Sequence, residues 1–103
     1  MWPFRRRRAT PIRVNVNVRA FVDGKMARLS QDATTSEGAR LKDLLRQLGR
    51  EGALETSVVR YVLKGHSGVT VLQNGQRLSM PRAASARLAD GDKLSILTTM
   101  AGG

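Results

Sequence analysis

Hydrophobic and polar residues alternate most strictly near the amino end of the chain. Ile12, Val14, Val16 and Val18 alternate with Arg13, Asn15, Asn17 and Arg19, and a period of two belongs to a strand with one buried and one wet face. Asp23-Gly24 reads as a hairpin turn, after which residues 25–30 return with Leu29 and either Met26 or Ala27 facing inward. The period then changes. Leu41, Leu44, Leu45 and Leu48 fall at i, i+3, i+4 and i+7, the apolar stripe of an amphipathic helix. Ahead of it, Thr34 and Glu37 have the spacing of a capping box, with Ser36 as the alternative cap, and Gly49 and then Gly52 supply the stop. The stripe is expected to pack on the chain's own sheet rather than on a partner.

The second half is read from turns as much as from periodicity. Val58, Val59, Tyr61, Val62 and Leu63 suit a short strand or a helical turn equally, because so short a run has no decisive period. Gly65-His66-Ser67-Gly68 breaks the run, Val69 to Leu72 resumes a strand, and Asn74-Gly75 turns it back through Gln76, Arg77 and Leu78 to an end at Met80-Pro81. Residues 83–88 are alanine-rich and have room for one turn. Asp90-Gly91 is a tight-turn signal, since Gly tolerates positive φ and Asp the left-handed region. The strand it launches, residues 93–98, sets Leu94 and Ile96 against Lys93, Ser95 and Leu97. Hairpin, helix, further strands and a final strand form the order of an α+β β-grasp domain. Such a domain is a mixed sheet of four or five strands packed over one main helix, with the first and last strands side by side and parallel. A parallel pair needs a crossover of a dozen or more residues, which the helix and later strands provide.

Composition narrows the possibilities. At 103 residues, with 41% hydrophobic and 25% charged positions and four aromatics, the chain is one domain whose core is built from Leu, Val, Ile and Met. No apolar run approaches the eighteen or so residues of a spanning helix. The absence of cysteine removes disulfides, thiolate metal sites and catalytic thiols together. His66, the single histidine, has no second histidine with which to share a metal and reads as a loop residue. Beside Ser67 it lacks the geometry of a triad. Net charge is +10. Arg5, Arg6, Arg7 and Arg8 read first as a solvated leader, with an electrostatic hook for a polyanion or an acidic partner as the second reading. Thr10, Pro11, Arg13 and Asn15 interrupt any secretory apolar segment after them, so the cytoplasm is the expected compartment. The expected layout is a basic, disordered leader over residues 1–11, a β-grasp domain over 12–98 and a flexible tail over 99–103.

The tail carries the candidate chemistry. The sequence stops at Gly102-Gly103, preceded by Met100 and Ala101. Residues without Cβ let a backbone pass a narrow channel in any conformation, and an ionised terminal carboxylate can attack an ATP α-phosphate. Taken together, Val69-Thr70-Val71-Leu72-Gln73-Asn74-Gly75, Leu88-Ala89-Asp90-Gly91-Asp92 with Leu94-Ser95-Ile96-Leu97, and Ala101-Gly102-Gly103 resemble the ThiS/MoaD family of ubiquitin-like sulfur-carrier proteins. In that family these are a V-x-V-x-x-N-G strand and turn, an L-x-D-G-D turn into the last strand, and a terminal [AS]-G-G. One departure stands out: the family usually carries one or two prolines just before the tail, and here Thr98 and Thr99 occupy those places.

The resemblance implies a carrier rather than an enzyme. Gly103, presented by Gly102, would be adenylated by a separate ubiquitin-activating-like enzyme that uses ATP, then converted to a thiocarboxylate by a sulfurtransferase. A sulfur-accepting synthase for molybdopterin, thiamin, cysteine or another product would consume the sulfur. The carrier itself binds no cofactor, and Leu97, Met100 and Ala101 form the expected partner-binding patch. No membrane partner is expected, and nucleic acid is not favoured. Two other classes stay open: a protein modifier forming isopeptide bonds through Gly103, and a basic nucleic-acid-binding module.

Overall fold

Alternation runs beyond the stretch read from sequence and makes Pro11–Val22 one long strand, β1, with Ile12, Val14, Val16, Val18, Ala20 and Val22 all buried. The computed structural model describes residues 10–65, 68–80 and 82–98. Residues 1–9 of the expected leader over 1–11, the loop assignment of His66 and Ser67, Pro81 and the tail over 99–103 lie outside the described residues, while Pro11 belongs to β1. Asp23 and Gly24 take φ of 53° and 77°, as a tight hairpin requires. The return strand β2, Lys25–Ser36, then pairs antiparallel with β1 along its full length, from Val22↔Lys25 to Pro11↔Ser36. Of the inward alternatives, Ala27 and Leu29 pack against the core, whereas Met26 stands opposite Phe21 and is 48% exposed.

The length of β2 corrects the expected helix start. Thr34 and Ser36 are strand residues paired with Arg13 and Pro11, and Glu37 N–H closes the hairpin on the Thr10 carbonyl at 2.7 Å. A ladder already open to them outcompetes a local cap. Helix α1 is Leu41–Arg50. Its start is held by the Asp43 carboxylate, which accepts the Arg40 N–H at 2.9 Å, and by the Leu41 N–H donating to the Ala86 carbonyl at 2.9 Å. It ends in a Schellman motif: Ala53 N–H donates to the Leu48 carbonyl at 2.9 Å and Gly52 N–H to the Gly49 carbonyl at 3.2 Å, with Gly52 at φ 81°. Gly52 is therefore the stop. Gly49 lies inside the helix, where an added Cβ would sit 3.3 Å from Val59 Cγ2. Its smallness lets the next helix approach.

That helix, α2 (Thr56–Leu63), settles the stretch that the pattern left open. Val58, Val59 and Val62 are buried on one helical face while Arg60 stays exposed. A strand facing Val58 and Val62 inward would have carried Arg60 into the core with them, at the cost of an unpaired buried charge. The remaining elements are β3 (Val69–Gln73), β4 (Gln76–Leu78), a 3-10 turn (Arg82–Ser85) and β5 (Lys93–Thr98). The sheet order is β2-β1-β5-β3-β4. β1 and β5 run parallel in the middle, from Asn15↔Lys93 to Arg19↔Leu97, and every other pairing is antiparallel. This is the expected mixed β-grasp sheet, with α2 added beside the main helix.

The leucine stripe faces that sheet: Leu41, Leu44, Leu45 and Leu48 join Val14, Val16, Val18, Val71, Leu94 and Ile96 in one core. Leu44 is 0% exposed. Leu44→Ala removes buried methyls and leaves a cavity, so we expect a loss of about 2–5 kcal/mol in denaturant unfolding.

Candidate functional site

The outward side chains of the sheet and the exit of β5 are the described parts nearest the expected chemistry. Cα partners on neighbouring strands share a face, so the register lays out the open face in rows. Arg28, Arg19, Leu97 and Thr70 form one row across β2, β1, β5 and β3. Ser30, Asn17, Ser95, Leu72 and Arg77 form the row behind it, and Asp32, Asn15 and Lys93 the next. Ahead of the first row lies the Phe21↔Met26 pair. Leu97, the candidate partner-binding residue, is 37% exposed on this face, and with Met26 it is one of the two exposed large hydrophobics among the described residues. Met100, Ala101, Gly102 and Gly103, the other candidates, lie outside the described residues.

Behind the first row the face is stitched by side chains. Asn15 Nδ2 donates to Asp32 Oδ1 at 3.0 Å, Asn17 Nδ2 to Asn15 Oδ1 at 2.9 Å, and Ser30 Oγ to Asn17 Oδ1 at 2.9 Å. The asparagines of β1 thus hold one another and their neighbours on β2. In the first row, Arg19 and Arg28 are direct cross-strand partners with no carboxylate partner among the described residues. The two-residue turn at Asp23-Gly24 sets this register, so the pair is readable from the turn, although the sequence analysis did not single it out.

Thr98, one of the residues standing where prolines are usual in the resembled family, fixes the exit. Its Oγ1 accepts the Phe21 N–H at 2.6 Å, and its backbone pairs with Val69 of β3. The parallel register ends at Arg19↔Leu97, and the hydroxyl takes the following β1 donor. A proline would restrict the exit through φ; the threonine ties it laterally to β1.

The opposite end of β5 is held by Asp92, which is 7% exposed and which sequence reasoning treated only as part of a turn motif. Its Oδ1 accepts Asn74 Nδ2 at 2.8 Å, and its Oδ2 accepts Gln73 Nε2 and the Ala89 N–H, both at 2.8 Å. Asn74 Oδ1 in turn accepts the Lys93 N–H at 2.9 Å. Asp90 Oδ1 accepts the Arg13 N–H at 2.8 Å, and Gly91 N–H donates to the Arg13 carbonyl at 2.8 Å. Only Gly91 in this turn has positive φ, 88°, so Asp90 does not use the left-handed region expected of it. Its carboxylate instead clasps β1. Burial pushes the Asp92 carboxyl up, but the hydrogen bonds from Asn74, Ala89 and Gln73 outweigh it and hold the group below its ordinary 3.8.

Among the described residues no three His, Asp or Glu side chains gather as a metal cage, and no helix is long and apolar enough to cross a membrane. The described geometry therefore presents a surface and an anchored strand exit.

The ThiS family model matches residues 12–103. Among solved structures, the Haloferax volcanii HVO 2177 protein is similar at 24% identity with a TM-score of 0.61, covering 90% of this chain and 88% of its own. The small archaeal modifier protein 1 (SAMP1) of Methanosarcina acetivorans is similar at 21% identity with a TM-score of 0.52, covering 91% of this chain and 99% of its own. At these identities the likeness is one of fold. No curated protein matches the chain.

Two outcomes follow for the anchors. A carboxylate held low in the folded state adds stability that is fully present above its unfolded pKa and is lost as pH falls through the folded value. Acid titration of the melting temperature should therefore show a drop below about pH 4 that Asp92→Asn lacks, since the two proteins converge there, while at pH 7 Asp92→Asn is less stable by about 1–3 kcal/mol. Thr98→Val should leave the Phe21 N–H without its acceptor and cost about 1 kcal/mol, with faster Phe21 amide exchange. Thr98→Ser should restore both.

Proposed function

Because the chain belongs to the ThiS family, with the ubiquitin-like β-grasp fold, we propose that it is a sulfur carrier whose working group is the carboxylate of Gly103. The observation that supports the proposal is the ThiS family match over residues 12–103, a span that includes Gly102-Gly103. In the proposed sequence an ATP-dependent adenylating enzyme binds the carrier, and a Gly103 carboxylate oxygen attacks the α-phosphorus of ATP. An acyl-adenylate forms and pyrophosphate leaves. A sulfurtransferase then delivers sulfur at the sulfide level (HS−), whose attack on the acyl carbon forms the C–S bond while the C–O bond to AMP breaks; AMP departs, and the product is a Gly103 thiocarboxylate for a sulfur-accepting synthase. The carrier's own residues have simpler roles. Gly102 and Gly103 keep the reacting backbone thin, Thr98 ties the tail root to β1, and Leu97 with Met100 and Ala101 meets the partner. In this reading the chain is a co-substrate with no catalytic machinery of its own, and ATP belongs to the activating enzyme.

A second reading is a ubiquitin-like protein modifier, in which a target lysine displaces AMP and Gly103 ends in an isopeptide bond. The fold similarity to a protein named as a modifier keeps it in view. Both readings share the activation step, so the second step separates them.

The expected outcome of incubating the chain with ATP, the adenylating enzyme and a sulfur donor is an intact mass raised by one oxygen-to-sulfur exchange, localised to Gly103 by fragmentation. Deleting Gly103, or placing Trp at Gly102, should abolish that change while leaving the melting temperature nearly unchanged, since a terminal tail contributes little to folding. Adenylation of the truncated chain would overturn the assignment. A ladder of lysine conjugates in place of the mass change would favour the modifier.

A further inference from the structure

β2 is an outer strand of the sheet, and among the described residues no strand pairs with its free side. Which of its residues turn their main chain outward follows from β1. The N–H groups of Arg13, Asn15 and Phe21 donate toward the β5 side, to Asp90 Oδ1, the Asp92 carbonyl and Thr98 Oγ1. Odd-numbered residues of β1 therefore serve β5, while Val14, Val16 and Val18 serve their β2 partners Ala33, Gln31 and Leu29. The intervening residues Arg28, Ser30 and Asp32 turn their N–H and C=O groups to the free side. The same parity sends the Thr34 carbonyl outward, where it accepts Gln47 Nε2 at 2.8 Å. An open edge of this kind is a template for another strand.

The side chains along the edge name its occupant. Arg28, Ser30, Gln31 and Asp32 are all exposed, and Arg28 and Asp32 stand equally far on either side of Ser30. Two copies of β2 laid antiparallel about Ser30 set each Arg28 directly opposite the Asp32 of the other copy. The neighbouring registers lose both pairs. Asp32 gives Oδ1 to Asn15 Nδ2 at 3.0 Å, which leaves Oδ2 for the guanidinium. On the core side of the sheet the half-buried Leu29 meets Gln31 of the second copy. Beyond Asp32 the Thr34 carbonyl is already taken by Gln47, so the ladder covers residues 28–32. We propose that the chain associates with a second copy of itself by this antiparallel β2–β2 pairing, two Arg28–Asp32 pairs fixing the register and two five-stranded sheets becoming one. So short a ladder belongs with small, transient interfaces, and a dissociation constant between about 10 μM and 1 mM is expected. Each β5 lies two strands in from the joined edge.

The test is sedimentation equilibrium of the full chain from about 10 μM to 2 mM, with amide exchange followed by NMR and a melting temperature taken for every variant. The parent should dimerise over this range, and the amides of Arg28, Ser30 and Asp32 should exchange more slowly as concentration rises. Arg28→Asp and Asp32→Arg each turn two attractive pairs into two repulsive ones, so either should weaken association about tenfold or more. The double exchange Arg28→Asp/Asp32→Arg should restore it. An equimolar mixture of the two single variants should form a heterodimer although neither pairs with itself, which a merely structural effect on the monomer would not produce. The proposal is overturned if the parent stays monomeric throughout, if either single variant associates within about twofold of the parent, or if the mixture associates no better than its components. A double exchange that melts like the parent yet stays monomeric also overturns it. So does loss of association on deleting residues 1–9, which would place the contact in the leader.

Discussion

The parallel pairing of β1 with β5 is the constraint around which the molecule is arranged. It joins residues 15–19 to residues 93–97 and closes nearly the whole chain into one loop. Parallel strands cannot be joined by a tight turn, so everything between them must serve as crossover, and the helices do so by covering the face that the pair buries. Val14, Val16, Val18, Leu94 and Ile96 are almost wholly removed from water, and the leucines of α1 lie over them. The pairing also places the end of β5 at Thr98 in the middle of the sheet, beside β1, rather than at an edge.

Both ends of β5 are pinned by polar groups of different character. At its start, Asp92 gathers donors from the β3–β4 turn and from its own turn, and Asp90 reaches across to Arg13 of β1. At its finish, a single hydroxyl from Thr98 takes the next donor of β1. The buried, charge-assisted end is the firmer of the two.

The same economy explains the basic surface. Carboxylates are few, and several are committed to holding backbone: Asp43 at the start of α1, Asp90 at β1 and Asp92 at Ala89. Asp32 and Glu51 are engaged by Asn15 and Gln47. Among the described residues, Arg19 and Arg28 of the open face are left without a carboxylate partner.

Much of this was legible before any coordinates. Alternation over Ile12 to Val18, the leucine stripe, and the Asp-Gly and Asn-Gly turns each follow from local rules: the period of a side chain about its own backbone, and the φ a residue type tolerates. The motifs over residues 69–75 and 88–97 were legible too, since they are strands and turns. Tertiary structure decided what local rules leave balanced. Thr34 to Ser36 joined β2 because a full-length partner strand was waiting, and residues 56–63 became a helix because that form alone keeps Arg60 in water while burying three valines. Gly49 proved to be a contact point for Val59 rather than a stop. Asp92 became a hub because Gln73 and Asn74 of the β3–β4 turn meet it beside Ala89 of its own turn. In each case the deciding energy comes from a partner distant in the chain, and a one-dimensional pattern carries no record of which distant group will arrive.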